Sequence, residues 1–521
     1  MKKILFTFCA SLIALSLSAI SFAEQNKFEK TKIYNENFTD VNQSDWYSES
    51  VTAVYELGLM EGVATDRFDA DSTLTVAQGV TLAARLNSIY TGKEIDEAEN
   101  AKNWYDKYVL YAIDNKIIGV DDFSDYGAVI KSYQMALLLA HSLPEDYFTA
   151  INNVDIIPDV TESLPYYKEV SLLYKAGILN GNDEYGTFYP ESPLTRKRAA
   201  AIIARTALSD LRVNFTLKQP NASYSLDELL DIVNSMTQPE TLDEFTMVTI
   251  DDFDFSVAEY RYYYAMLSDI YKGDELKSQT LDNLSIRAAA AKLAKQNNVC
   301  LPFENLRDFY SSYYILRYNY GDNYSTILNI YHTTDRALCR DEIMSRIRSY
   351  QLTTLFGENA PHGYTKQEVT DYAIKADYIC AKHILISNNT ENAKERAQEV
   401  LERVNSGEDF DALIRQCGQD PTMAQNPNGY YFTKGTMVEP FEKTAYSLNP
   451  GEVSGIVESV YGYHIIKRCE FNQTDFENSS FYTSIANTIS QNKALEYYKS
   501  VSEGLNITYA AAFNEFLKLL D

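Results

Sequence analysis

Few side chains in this 521-residue sequence are suited to catalysis, and the five histidines are the easiest to inspect. Two of them, His383 and His464, fall in segments that alternate like strands. The sequence has no glycine-rich phosphate loop, no carboxylate pair at a catalytic spacing, and no CxxC or Cys/His cluster. We therefore expect no metal and no cofactor, and we expect buried, unpaired thiols rather than a disulfide framework.

A basic cluster in an acidic chain is a second candidate for chemistry. The chain has 73 acidic and 46 basic residues, a net charge of −27, which excludes a general nucleic-acid binder. Thr195 is a predicted helix N-cap, and the helix that follows it carries four basic residues: Arg196, Lys197, Arg198 and Arg205. Helix N-termini and guanidinium groups favour anions, so the cluster predicts a carboxylate-bearing ligand. The alternative is that these charges form a solvated helix face.

The elements around the two histidines indicate a small α+β domain at 376–472. Its pattern is a strand, two helices, a loop with a short helix, and two closing strands. The segments are Tyr378–Ile386, Asn392–Val404, Phe410–Cys417, Pro440–Tyr446, Val453–Val457 and Tyr463–Arg468.

This domain resembles the parvulin-type peptidyl-prolyl cis-trans isomerases. The matching motifs are His383-Ile384-Leu385, Phe432 to Phe441, Gly451-Glu452-Val453-Ser454, and Tyr461 to Lys467. The resemblance implies a catalytic cluster of His383, Asp420 and His464, with Met437 and Phe441 holding the substrate proline. The Asn426–Tyr431 loop departs from the family, and Tyr430 is our candidate for that pocket wall. The alternative is that the histidines only buttress the strands.

An internal repeat organises the first 210 residues. Asp40-Val41 recurs as Asp159-Val160, Trp46-Tyr47 as Tyr166-Tyr167, and Leu74-Thr75 as Leu194-Thr195, with a weaker copy from Trp104-Tyr105 between them. Each unit predicts two helices that bury their apolar faces only against the other units. The units span about 37–92, 97–148 and 152–208.

These repeats resemble S-layer homology domains. The resemblance implies an all-α, three-fold bundle over 37–208 that binds anionic secondary cell-wall polysaccharide, with Thr195, Arg196, Trp46 and Trp104 as candidate contacts. The family's Thr-Arg-Ala-Glu motif is incomplete here, because Lys197-Arg198 replaces Ala-Glu and the first repeat has Thr75-Val76-Ala77-Gln78.

The remaining segments complete the predicted architecture. Residues 1–23 read as a cleaved secretory signal, and no later stretch is apolar enough for a membrane span. Residues 209–250 form a connector, 251–375 an all-α chaperone-like domain, and 473–521 a helical segment that packs with it. A parvulin domain inserted into helices resembles the exported foldases of the PrsA and SurA type.

The sequence therefore predicts an exported isomerase and foldase at the cell wall or S-layer, acting on unfolded or folding exported polypeptides with X–Pro bonds. Two alternatives stay open. One is a non-catalytic holdase chaperone, and the other is a structural S-layer-associated protein.

Overall fold

The computed structural model describes residues 27–237 and 245–520, so the predicted signal segment 1–23 lies outside it. The chain is rich in helix and has one small sheet domain. The described residues fall into two compact units. The first contains the residues up to 237 together with Leu301–Tyr331, and the second contains 245–300 and the residues from His332 onward. The continuous helical domain predicted over 251–375 is therefore divided, because 301–331 packs with the N-terminal unit.

Helix pairs recur three times along the first unit. They are Ser48–Glu56 with Val76–Thr91, Asp106–Asp114 with Ser132–Ser142, and Tyr167–Lys175 with Arg196–Ala207. The aspartate that opens the first and third repeats has the same structural role in each. Asp40 accepts the backbone N–H of Phe68 at 2.8 Å, and Asp159 accepts that of Phe188 at 2.8 Å. Each carboxylate thereby ties the start of its repeat to the loop before its second helix.

A closed ring of backbone hydrogen bonds joins the three repeats at their centre. Leu74 N–H donates to Leu194 O at 3.0 Å, Leu194 N–H to Ile130 O at 3.1 Å, and Ile130 N–H to Leu74 O at 2.9 Å. All three side chains are buried. Each repeat thus satisfies its backbone only with the other two present, which is why a single helical pair would not be stable.

Two further stretches of chain complete the first unit. One directly follows the third repeat, and the other is Leu301–Tyr331. The remaining elements of this unit are the 3-10 turns Glu145–Tyr147 and Ser209–Leu211, the strand Ser223–Ser225, the helix Leu226–Met236, the helices Phe303–Tyr320 and Tyr324–Ile330, and the 3-10 turn Gly321–Asn323. The Phe303–Tyr320 helix contacts the repeats through Arg317, whose Nε donates to Glu191 at 3.2 Å, and through Tyr318, whose ring lies 6.1 Å from that of Tyr166.

Helices that precede and follow the predicted parvulin domain pack together in the second unit. Tyr498 donates to Gln351 Oε1 at 2.7 Å and Ser490 to Leu352 O at 3.1 Å. The helices are Val257–Leu267, Gly273–Gln296, Asp335–Thr354, Lys366–Lys375, Gln473–Glu477, Ser480–Ser502 and Phe513–Leu520. A three-stranded antiparallel sheet accompanies them, in the order Phe253–Ser256, Thr246–Ile250, Ile507–Tyr509. The short strand Cys300–Pro302 begins at the last residue of the stretch 245–300 and continues into the first unit.

The predicted α+β domain contains a four-stranded antiparallel sheet in the order Tyr430–Phe432, Ile379–Ser387, Gly462–Cys469, Val453–Ser459. Its helices are Ala393–Asn405, Phe410–Cys417, Pro421–Gln425 and Glu439–Ser447. The sequence did not predict the edge strand 430–432, which we expected to be loop. Across both described stretches of the chain, no helix combines the length and apolar character that crossing a bilayer requires.

Candidate active site

Strand register brings the two predicted histidines together. His383 pairs with Ile466 and Leu385 pairs with His464 on the neighbouring antiparallel strand. Because side chains alternate between sheet faces, both imidazoles project from the same face. Their Nδ1 atoms lie 3.0 Å apart and their rings stack at 5.2 Å. Both histidines are buried.

Asp420 reaches the same cluster from the loop after the Phe410–Cys417 helix. The loop is tied to the sheet by the N–H of Gln419, which donates to Leu385 O at 2.9 Å. The carboxylate accepts His383 Nε2 at 2.8 Å, Tyr430 OH at 2.7 Å, and both the N–H and hydroxyl of Thr422 at 2.9 Å. The hydrogen bond from His383, helped by those from Tyr430 and Thr422 and opposed by burial, holds the pKa of Asp420 well below its ordinary value.

The protons of this network follow from Asp420 being ionised. A carboxylate only accepts, so His383 donates its Nε2–H to Asp420. Burial, reinforced by the nearby His383, lowers the pKa of His464 to about 4, so His464 is neutral near pH 7. When His383 is neutral as well, its Nδ1 is bare and accepts Nδ1–H from His464. His464 Nε2 then accepts the hydroxyl of Ser459, 2.6 Å away.

An apolar surface lies directly against the imidazoles. The Phe441 ring is 3 % exposed and its centroid lies 5.2 Å from that of His383 and 5.6 Å from that of His464. Met423 is buried in the same cluster and Met437 is half-buried beside it. Phe441 thus lies against both imidazoles, and Met437 packs against the apolar cluster that contains Phe441. That these two residues hold a substrate proline stays a prediction. Tyr430 was predicted only as a wall of the pocket. It lies in the apolar cluster, and its hydroxyl also donates a hydrogen bond to Asp420.

Three polar residues of the site were not found from the sequence. Ser459 bonds His464, Thr422 bonds Asp420, and Glu442 holds the Met437 loop by accepting the backbone N–H groups of Gly435, Thr436 and Met437. Ser459 had a usable signal. It ends one strand of the tight hairpin that leads to His464, and Ser459 pairs with Gly462 across it.

A separate groove lies between the first and third repeats of the N-terminal unit. Its volume is about 300 Å³, and its lining includes Trp46, Asn180, Arg198 and Arg205. Trp46 is 61 % exposed. Arg205 donates to Asn180 Oδ1 at 3.1 Å. Burial lowers the pKa of Arg198, yet this cation faces the groove without an ion pair among the described residues.

Arg196 has different contacts from the predicted ones, although Thr195 precedes its helix as the N-cap, as predicted. Arg196 is 7 % exposed, and its guanidinium donates to Phe68 O at 2.7 Å and Glu61 O at 2.6 Å, both in the first repeat. The N-terminus of its helix is also occupied, because the N–H groups of Arg196 and Lys197 donate to carbonyls of the first repeat. The Arg196 guanidinium and this helix N-terminus are therefore engaged by the first repeat, and a role of Thr195 and Arg196 in binding polysaccharide stays a prediction. The contact joins two repeats.

Trp104 lies apart from Trp46. It is 59 % exposed and its ring packs at 6.4 Å from that of Tyr108. Tyr108 in turn lies 3.3 Å from the guanidinium of Arg85, in the first repeat. The two tryptophans hold the same position in their own repeats, since each meets the following tyrosine at 5.5 Å and 86°.

Comparison with known proteins assigns two domain types. Residues 383–470 match the family model of the PPIC-type PPIase domain, and residues 37–78 and 156–199 match that of the S-layer homology domain. Both predicted domain types are thereby confirmed. The matched S-layer homology segments fall in the first and third repeats. The second repeat, 97–148, remains a prediction.

Individual relatives match less than a third of the chain. Foldase protein PrsA 2 of Bacillus cereus is 31% identical over 153 residues, covering 28% of this chain and 47% of the relative. Foldase protein PrsA of Geobacillus kaustophilus is 40% identical over 107 residues, covering 19% of this chain and 36% of the relative. The chain thus spans about half or less of the length of these curated relatives.

A solved parvulin from Nitrosopumilus maritimus is 40% identical, with 18% of this chain and 96% of that chain covered, at a TM-score of 0.16. Residues 383–470, which match the PPIC-type family model, also contain the histidine–aspartate network and its apolar wall. We therefore conclude that the chain carries a parvulin-type peptidyl-prolyl isomerase domain together with S-layer homology sequence.

Proposed function

We propose that this protein is an exported, wall-anchored peptidyl-prolyl cis-trans isomerase of the parvulin type that also acts as a foldase. The observation that carries the proposal is the buried network of His383, His464, Asp420 and Tyr430 lying directly against Phe441. Its substrates would be exported polypeptides that are still folding and contain X–Pro bonds.

The site suits isomerisation because that reaction needs no covalent step. Rotation about an X–Pro bond faces a barrier near ~20 kcal/mol that comes from amide resonance. A proline ring seated on Phe441 and Met437 would place its amide in a desolvated environment, where the twisted, less resonant state is favoured. The ionised Asp420 and its donors would fix the polarity of that environment in advance.

A proline-limited refolding assay with the full chain tests the proposal. We expect the wild type to accelerate the slow phase and Asp420→Ala to reduce that acceleration by at least ~10-fold. Glu395→Ala is the matched control, because it removes an exposed carboxylate of the same domain. Equal acceleration by all three proteins would reject the catalytic role of Asp420. No acceleration by any of them would favour the holdase.

The foldase part of the proposal rests on the helices of the second unit. The Ser480–Ser502 helix, after the parvulin segment, bonds to the Asp335–Thr354 helix before it, which supports a helical domain with an inserted parvulin domain. The non-catalytic holdase makes a distinct prediction. If holding alone is the function, His464→Ala will protect a client from aggregation as well as wild type does, and wild type will not accelerate proline-limited refolding.

We also propose that residues 37–208 form a three-fold S-layer homology bundle that binds an anionic wall polysaccharide, and the Trp46 groove is the favoured site. An exposed indole beside an unpaired Arg198 suits a sugar that bears a carboxylate. Sedimentation with purified walls tests this, and we expect Trp46→Ala to weaken retention. A purely structural S-layer protein would instead assemble into sheets, whereas a foldase should stay dispersed.

A further inference from the structure

Two of the five cysteines in the described residues stand directly opposite each other. Cys380 and Cys469 are paired across the two central strands of the parvulin sheet. Both are free thiols, and they pack in one apolar cluster. Directly opposed residues in an antiparallel pair have Cα atoms about 4.5–5.5 Å apart, which lies within the range that a disulfide spans. The other three cysteines, Cys300, Cys339 and Cys417, have no such partner in the strand register.

We propose that Cys380 and Cys469 form a dithiol that a disulfide oxidant closes into a cross-strand disulfide. The bond would join the strands where the chain enters and leaves the sheet, since Ile379 begins one strand and Cys469 ends the other. Because 89 positions separate the two cysteines, one bond would close nearly the whole isomerase segment into a loop. This inference does not depend on the proposed isomerase activity.

The two thiols differ in the way that such a reaction needs. Cys469 is half-buried, whereas Cys380 is 1 % exposed. The interaction with the Cys380 thiol, opposed by burial and helped by the positive charges of Lys382 and Lys467, lowers the pKa of Cys469. The same interaction and burial raise the pKa of Cys380. Because Cys469 is the more accessible of the two thiols, it is the attacking thiolate, and the buried Cys380 is the resolving thiol.

The chemistry balances with a small-molecule disulfide as oxidant. The Cys469 thiolate attacks one sulfur of the oxidant, forming a mixed disulfide and releasing one thiolate. The Cys380 thiol loses its proton and attacks Cys469 Sγ, which forms the protein disulfide and releases the second thiolate. Two protein thiols are oxidised, and one oxidant disulfide is reduced to two thiols.

Closure would also reach the active site. Cys380 Sγ lies 3.3 Å from Asn428 O, and a Cβ at Gly429 would meet that sulfur at 2.7 Å. This loop leads directly to Tyr430, which bonds Asp420. When Cys380 Sγ turns toward Cys469 it leaves the loop, so the dithiol is placed to alter the position of Tyr430.

Peptide mapping of the full chain tests the proposal. The protein is purified reduced without oxygen, equilibrated with defined mixtures of reduced and oxidised glutathione, alkylated and cut with trypsin. We expect the peptides 376–382 and 469–493 to become linked, while Cys300 and Cys339 stay alkylated. Thermal unfolding should shift upward in the oxidised wild type and not in Cys469→Ser. Cys417→Ser, which removes another half-buried thiol, should keep the shift.

The proposal fails if Cys380 and Cys469 are alkylated separately under conditions in which Cys417 is glutathionylated. It also fails if Cys469 accumulates as a glutathione adduct without ever linking to Cys380. Because the mapping uses wild-type protein, poor folding of a serine variant would leave the result intact.

Discussion

The Nδ1 atoms of His383 and His464 face each other at 3.0 Å, so a single proton must lie between the two rings. Two protons would place two N–H groups head to head, and none would leave two lone pairs opposed. The two neutral imidazoles can therefore take up at most one further proton before the contact between their Nδ1 atoms is lost. This relationship makes the stability of the domain depend on pH.

We expect the isomerase domain to lose stability as the pH falls from about 6.5 to about 4. In this window an unfolded histidine takes up a proton, while folded His464, with its pKa of about 4, stays neutral. The unfolded state then binds more protons, so the free energy of unfolding falls with the pH, by up to about 3 kcal/mol. His464→Gln should flatten the profile.

The measurement should report on this domain alone. Met423 is buried beside the site, and its oxidation by peroxide proceeds across this pH range. The urea midpoint of Met423 oxidation, read by mass spectrometry in the full chain, gives the local stability. A midpoint that stays constant from pH 6.5 to pH 4 in the wild type would contradict the prediction.

Tyr430→Phe should lower kcat/KM for isomerisation by about 5- to 10-fold. The ring stays in the apolar cluster, but Asp420 loses one of its donors, a contribution of about 1–1.5 kcal/mol. Tyr431→Phe is a close control, since that hydroxyl donates to Asn472 O, outside the site. Equal losses in both variants would indicate a packing effect instead.

Glu442→Ala should raise KM more than it lowers kcat. Its carboxylate accepts the N–H groups of three successive residues and so fixes Met437, one wall of the proposed proline pocket. Without it we expect KM to rise roughly 3- to 10-fold, because positioning is lost while the histidine network is intact. Glu439→Ala, an exposed carboxylate on the same helix, should leave KM unchanged. A fall in kcat alone would place Glu442 in the chemistry.

Arg196→Ala and Arg198→Ala should separate folding from wall binding. Arg196 donates to two carbonyls of the first repeat, so its loss should cost about 2–3 kcal/mol of stability in the first unit. Arg198→Ala should weaken wall sedimentation with little change in unfolding. Tryptophan fluorescence reports the unfolding, because both tryptophans lie in this unit. The opposite pattern would restore Arg196 as the ligand contact.

The sequence was most informative where function depends on motif and local pattern. His383 and His464 lie on strands whose alternation is visible, and Asp420 follows a helix with a clear stop. The sequence was least informative where the position of a side chain depends on contacts with residues far away along the chain. The burial of Arg196 needs Phe68 and Glu61, more than 120 positions earlier. The opposition of Cys380 and Cys469 depends on strand register, which a one-residue slip would abolish.

Backbone pairing in the second unit also has a consequence for the order in which the chain matures. Asn506 N–H bonds the Asp251 carboxylate, 255 positions earlier, and the strand Ile507–Tyr509 pairs with Thr246–Ile250. A polypeptide that emerges from its N-terminus exposes the first strand long before its partner. The parvulin strands between them can pair as soon as Cys469 has appeared. The isomerase domain would thus complete its fold before the helical domain around it, and the X–Pro bonds of the same chain would be among the first that it encounters.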